Sequence, residues 1–219
     1  MPAAAVPAAA PAGQERCILG VDPGTRLAGY AVVRLAGRAL VCRAVGTITL
    51  PPGWPLARRL ARLSLEISRL VRTHDPGGVA VEQAIYAQNV RTALALGQAR
   101  GVVVGAAALA GVEVFEYSPR EVKRAVTGSG AASKAQVQGM VRRLLGLAAH
   151  PGPDEADAAA LAICHFQRDA GAAAQLRAAG ARAPAAGRGA AAVGGARGRR
   201  SGRWTAADVE RLRSAGRIR

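Results

Sequence analysis

Asp22 sits at the break between two apolar runs. Ile18-Leu19-Gly20-Val21 supplies the short apolar segment of a buried central strand, and Pro23-Gly24 interrupts it before a second run continues to Val33. The pattern reads as strand, turn, strand, with a carboxylate held at a strand end. An acid so placed, beside glycines that let a backbone or phosphate come close, suits a divalent metal with oxygen ligands. It equally suits the start of an Asx-type turn, and only further carboxylates decide between the two.

The following segments extend the same scaffold. Leu40 to Leu50 reads as a third strand, ended by Pro51-Pro52-Gly53, so the chain opens as an antiparallel meander. From Pro55, Leu56, Leu60, Leu63, Ile67 and Leu70 recur at helical spacing with Arg58, Arg59, Arg62, Arg69 and Arg72 between them. This predicts an amphipathic helix on the sheet, its arginines most simply a solvated face. After the break at Asp75-Pro76-Gly77-Gly78, Val79-Ala80-Val81 runs into Glu82, a second strand ending in a carboxylate; the intervening helix implies a parallel crossover.

Gln83 to Asn89 reads as a loop and Val90 to Leu109 as a long helix. Gly97, Gly101 and Gly105 form a stripe along it that fits close approach of another backbone, either this subunit's sheet or a helix of a second copy. Val112 to Tyr117 reads as an alternating strand with its acids toward solvent. Ser118-Pro119-Arg120-Glu121 and Ser133-Lys134-Ala135-Gln136 are capping boxes that open two more helices, the first ended by Gly128 to Gly130.

Asp154-Glu155-Ala156-Asp157 then opens a last, Ala-rich helix to about Gln167, with His165 as a core or rim residue two turns beyond the acids. Asp154 and Asp157, three apart, share one helix face near an N-terminus that favours negative charge. Charge complementarity alone explains that pair. Asp22, Glu82, Asp154 and Asp157 together, two ending neighbouring strands and two opening a late helix, form the better-defined constellation: two Mg²⁺ ions roughly 3.5 to 4 Å apart, bridged by such acids, activate water and help a 3′ oxygen leave a phosphate.

Val21-Asp22-Pro23-Gly24 with Gly29-Tyr30, Val81-Glu82-Gln83, Leu96-Gly97-Gln98-Ala99-Arg100-Gly101, Phe115-Glu116-Tyr117, Val122-Lys123, Lys134 to Gln138 and Asp154 to Ala158 resemble the RuvC family of crossover junction endodeoxyribonucleases. The match runs in order from about Cys17 to Phe166. The resemblance implies an α/β, RNase H-like fold with a five-stranded mixed sheet, antiparallel hairpin meander plus parallel strands, flanked by helices. It further implies a homodimer, Mg²⁺-dependent nicking of four-way DNA junctions with Mn²⁺ able to substitute, and partnership with the RuvA and RuvB branch-migration proteins. Asp22, Glu82, Asp154 and Asp157 are then the metal-binding and catalytic acids. Lys123 and Lys134 match phosphate-contacting positions, and Arg91 is grouped with the DNA contacts. Where many relatives carry an aromatic wedge two positions after Glu-Gln, this chain has Ile85, with Tyr86 next.

The formal charge of +16 fits a polyanionic partner. Residues 168–219 hold 12 Arg against 3 acids, which leaves +7 for residues 1–167. Residues 1–15 read as a disordered Ala/Pro-rich leader, 16–168 as the nuclease domain, and 169–219 as an Ala/Gly/Arg-rich basic tail, disordered from 170 to 203. Apolar runs broken by Gly, Arg or Gln short of the ~18 residues a membrane helix needs predict no membrane partner. Cys17, Cys42 and Cys164, widely spaced and odd in number, point away from disulfides or zinc and toward the cytoplasm.

Three other readings compete. Gly128 to Lys134 superficially matches a phosphate-binding loop, but Ser133 stands where Gly is required and Ala135 where Ser or Thr is. A non-catalytic nucleic-acid binder would not need the four acids. A related RNase H-like nuclease acting on RNA differs only in substrate.

Overall fold

The computed structural model describes residues 17–37, 39–83 and 89–181, with side chains through residue 170. The expected leader 1–15, Ile85 and Tyr86 of the expected loop, and residues from 182 onward lie outside the described residues.

The turn at Pro23-Gly24 folds β1 (Cys17–Asp22) back onto β2 (Leu27–Ala36), with Asp22 opposite Gly29, and β2 pairs antiparallel with β3 (Ala39–Thr49). A short turn can join only antiparallel strands; a parallel partner needs a crossover. Helix α1 (Leu56–His74) provides one and returns the chain to β4 (Gly78–Glu82), parallel to β1 on its free side. Helix α2 (Val90–Leu109) provides a second, placing β5 (Glu113–Tyr117) parallel to β4. The strand order is β3-β2-β1-β4-β5, the expected mixed sheet, with β1 at its centre.

Alternate residues of the strands face two separate cores. Leu19, Val21, Val32, Val79 and Val81 meet Leu63, Ile67 and Leu70 of α1 and Ala99 and Val103 of α2. Ile18, Ala31, Val33 and Ala80 meet the other three helices, α3 (Pro119–Thr127), α4 (Lys134–Leu144) and α5 (Pro153–Ala181). Both predicted capping boxes are present, Ser118 with Glu121 and Ser133 with Gln136, and Gly128 closes α3 in the left-handed conformation at φ 81°.

Helix α5 lies directly on the hairpin. A Cβ at Gly20 would fall 2.0 Å from the Ala158 carbonyl oxygen, and one at Gly29 would fall 1.9 Å from that of Asp154. Only glycine permits this approach.

Three expectations change. Helix α5 continues to Ala181, so residues 170–181 are helical where the sequence suggested disorder; alanine, the strongest helix former, dominates that segment. Glu113 and Glu116 are three apart and cannot share a strand face, and Glu116 pairs with Arg100 instead of standing free in solvent. Helix α2, at 20 residues and a mean hydropathy of 1.4, is long and apolar enough by length and composition to cross a membrane, with 22% of the span buried in this fold. Its buried side, Ala99, Val103, Ala106 and Ala107, packs in the α1 core.

Candidate metal centre

The ends of β1 and β4 point the same way because the two strands are parallel, and this brings Asp22 and Glu82 to one edge of the sheet. The close packing of α5 on Gly20 and Gly29 sets its first turn over the same edge. A cleft of about 310 Å³ results, lined by Asp22, Glu82 and Asp157 together with Lys123, Lys134 and the apolar side chains of Val122, Val137 and Leu161. Five of the residues predicted from sequence therefore share one cavity. Asp154 does not line it; its backbone carbonyl faces Gly29, although its charge still acts on Asp22. Arg91 is exposed in the first turn of α2 and is not part of the cleft lining.

The electrostatics record how closely the acids are gathered. Burial, followed by the charges of Asp157, Glu82 and Asp154, pushes the Asp22 carboxyl up to about 7 from an ordinary 3.8. Burial and Asp157 raise Glu82 as well. Lys134, the first residue of α4, reaches across so that its Nζ lies 3.4 Å from Asp157 Oδ2, and this carboxylate in turn holds the ammonium above its usual range.

Among the described residues, no three carboxylate, imidazole or thiol side chains close on a single point as they stand. The acids line the cleft with Lys134 against Asp157. The donor set nevertheless fits a hard cation: all are carboxylate oxygens, and burial together with their mutual repulsion raises the proton affinity of Asp22, a cost that a bound cation offsets.

Two interactions were not legible in the sequence. Arg100 donates from Nε to the backbone carbonyl of Glu82 at 3.0 Å while its guanidinium pairs with Glu116 on β5. The available signal was a charge ten positions into a mainly apolar helical run whose one other charged residue, Arg91, sits in the first turn. His165 accepts or donates through Nδ1 to the Tyr117 hydroxyl at 2.8 Å and stacks edge-on against Phe115, which ties α5 to the end of β5.

The family model for the crossover junction endodeoxyribonuclease RuvC matches residues 18–165, well over half the chain and all of the cleft. The chain belongs to the RuvC family. A RuvC from Rubrobacter xylanophilus is 52% identical over 152 residues, covering 69% of this chain and 85% of the relative, and one from Pelotomaculum thermopropionicum is 50% identical over 149 residues, covering 68% and 91%. Among solved structures, RuvC of Thermus thermophilus superposes with a TM-score of 0.66 at 32% identity, over 71% of this chain and 96% of that one. The same Thermus protein in complex with a Holliday junction substrate gives 0.67 at 33% identity, over 70% and 94%. The yeast mitochondrial Holliday junction resolvase Ydc2, 15% identical with a TM-score of 0.54 over 71% of this chain and 79% of its own, shares the fold. This RuvC-family chain is thus a nuclease with an RNase H-like sheet, and membership of the family implies dependence on a divalent metal.

Proposed function

We propose that this chain resolves four-way DNA junctions by paired, symmetric nicks, hydrolysing phosphodiester bonds at the cleft formed by Asp22, Glu82 and Asp157 with Asp154 beside it. The observation that carries the reading is the meeting, in one cleft of a RuvC-family chain, of three carboxylates with the two lysines expected to hold phosphate. The Thermus relative solved with a junction substrate supports the choice of DNA form.

The four acids would hold two Mg²⁺ ions, with Mn²⁺ as a substitute. When bound, such ions supply water activation and neutralise charge on the leaving 3′ oxygen. The chain's own residues do the rest. Asp22, at the end of the central strand, would be the acid shared between the metal sites, and it would hold metal in its deprotonated form. Lys134 and Lys123 meet the non-bridging oxygens of the scissile strand and hold it against the acids; phosphate contacts of this kind position DNA without reading sequence. The apolar wall of Val122, Val137 and Leu161 limits water around the reacting phosphate.

Two coordinated cuts call for two copies of the site, and a two-fold homodimer supplies them. On α2 a Cβ at Gly101 or Gly105 would meet nothing within 4 Å, and Val90, Leu94 and Leu109 are exposed, which makes this helix face the proposed dimer contact. Ile85 or Tyr86, in the sequence between β4 and α2, would wedge the junction centre, with Arg91 as a further DNA contact. Residues 16–168 would form the nuclease domain, the flanks serving other roles, and RuvA and RuvB would deliver the junction in the cytoplasm.

The test is a nicking assay on a synthetic four-way junction, with and without Mg²⁺, mapped to the nucleotide. Symmetric nicks that vanish in Asp22→Asn, while that variant still binds the junction, support the reading. Equal cleavage by both proteins overturns it.

A further inference from the structure

Helix α1 carries a cluster of basic and aromatic side chains for which the cleft gives no role. Arg58 lies over the Trp54 indole with Cζ 3.9 Å from the ring centroid, and Arg62, one turn on, lies 5.8 Å from it. Both arginines are exposed, and neither makes an ion pair among the described residues. Glu66, the acid one turn beyond Arg62, is taken by Arg69 at 2.9 Å. Two exposed guanidiniums thus lie over one indole with no carboxylate partner among the described residues. An indole face steadies a guanidinium without using its donors, which leaves the planar fork available to a phosphate.

The location of this cluster gives it meaning. The β1–β2 turn that follows Asp22 is tied to the start of α1 by Arg59, whose Nη1 donates to the Thr25 carbonyl at 2.5 Å. It is tied to the end of β3 by the Leu50 amide, which donates to the Arg26 carbonyl at 2.7 Å. Trp54, Arg58, Arg62 and the exposed Arg26 therefore belong to the same end of the sheet as Asp22. Lys123 and Lys134 come from α3 and α4 on one face of the sheet, whereas α1 covers the other.

We propose that Trp54, Arg58 and Arg62 form a second phosphate-binding flank, which grips the DNA strand as it leaves the cleft across the β1–β2 turn. A strand crossing Asp22 then meets cations on both sides: Lys123 and Lys134 at the reacting phosphate, and the stacked arginines several nucleotides away. Contacts of this kind set affinity and the path of the strand, and leave the chemistry untouched. The α1 arginines, expected from sequence to be a solvated face, divide by position: Arg58 and Arg62 serve DNA, while Arg69 and Arg72 lie toward the opposite end of the helix, Arg72 about 20 Å from Arg58.

This inference rests on the junction-binding reading above, and the experiment separates the two. Binding of the full chain to a four-way DNA junction is measured across a salt series for the wild type, Arg58→Ala/Arg62→Ala, and Arg69→Ala/Arg72→Ala. Removing one cation from a phosphate reduces the slope of log K against log[salt] by about 0.9, so the first variant should drop by close to two units of slope and about tenfold in affinity at moderate salt. Its single-turnover cleavage at saturating protein should stay within about twofold of wild type, and the second variant should match wild type throughout. Trp54→Ala, which removes the platform but keeps the charges, should weaken binding by less than the double substitution. The inference is overturned if Arg58→Ala/Arg62→Ala keeps the wild-type slope, or if the far-end pair produces the same drop. Failure of the wild-type protein to bind junctions would instead overturn the junction reading itself.

Discussion

Arg100 holds Glu82 by its backbone. The guanidinium donates to the Glu82 carbonyl at 3.0 Å and pairs with Glu116, so one side chain spans the ends of two adjacent strands at the point where β4 delivers its acid. Groups that orient an acid from behind typically change metal affinity or activity 10- to 100-fold when removed. Arg100→Ala should raise the Mg²⁺ concentration needed for half-maximal cleavage by about tenfold or more, with junction affinity in the absence of metal unchanged. Arg100→Lys, able to donate but not to fork, should recover only part of the effect. Direct Mn²⁺ titration of each protein checks the same effect without relying on turnover.

Proton uptake by Asp22 gives a pH signature. Its folded-state value of about 7 lies above the ordinary 3.8, so the folded protein binds this proton more tightly than the unfolded chain does. The associated stability is fully present below about pH 4 and is lost as pH rises through 7. In EDTA, the Tm should fall between pH 5 and pH 8, and Asp22→Asn should flatten that fall. Adding Mg²⁺ at pH 8 should raise the wild-type Tm and leave the variant nearly unmoved.

The glycines beneath α5 should tolerate nothing larger. A Cβ at Gly29, 1.9 Å from the Asp154 carbonyl oxygen, forces the first turn of α5 off the sheet, and one at Gly20 forces out the next. Overpacking of this kind costs typically 1–3 kcal/mol. Gly29→Ala should lower the Tm by several degrees and reduce cleavage far more than Gly101→Ala, which meets open space within the subunit. Thermal melts and single-turnover rates on both variants measure the contrast.

Truncation should be made after Ala181, since α5 extends that far. Of the arginines in residues 168–219, ten follow Ala181, and their removal should weaken junction binding at moderate salt by stripping away non-specific attraction to phosphates. Single-turnover cleavage at saturating protein should be unchanged. A salt-dependent binding series on the truncated chain checks this.

Much of the architecture is legible in the sequence because its signals are local. Asp22 and Glu82 each end an apolar run, two capping boxes mark helix starts to the residue, and turn residues separate the strands. The part that escapes depends on contacts between distant segments. Nothing adjacent to Arg100 in sequence announces that it reaches Glu82, eighteen positions earlier, or Glu116, and the strand acids read as solvent-facing for that reason. Spacing places Asp154 and Asp157 on one helix face, yet only the approach of α5 to Gly29 decides that Asp157 enters the cleft lining and Asp154 does not. The Ala-rich stretch after Arg168 reads as disordered when low complexity is weighed above helix propensity, and in the folded chain propensity prevails.

The sheet that separates the two cores also separates two kinds of heritable change. The carboxylates and the paired lysines come from strand ends and from α3, α4 and α5, whereas the stacked arginines and the exposed side of α2 belong to the opposite layer. Substitutions confined to the exposed side chains of α1 and α2, with Arg59 and Arg100 kept, leave every side chain that lines the cleft in place. A library drawn from those exposed positions, with Arg59 and Arg100 held constant, is the one to screen for altered DNA binding with an unaltered hydrolytic step.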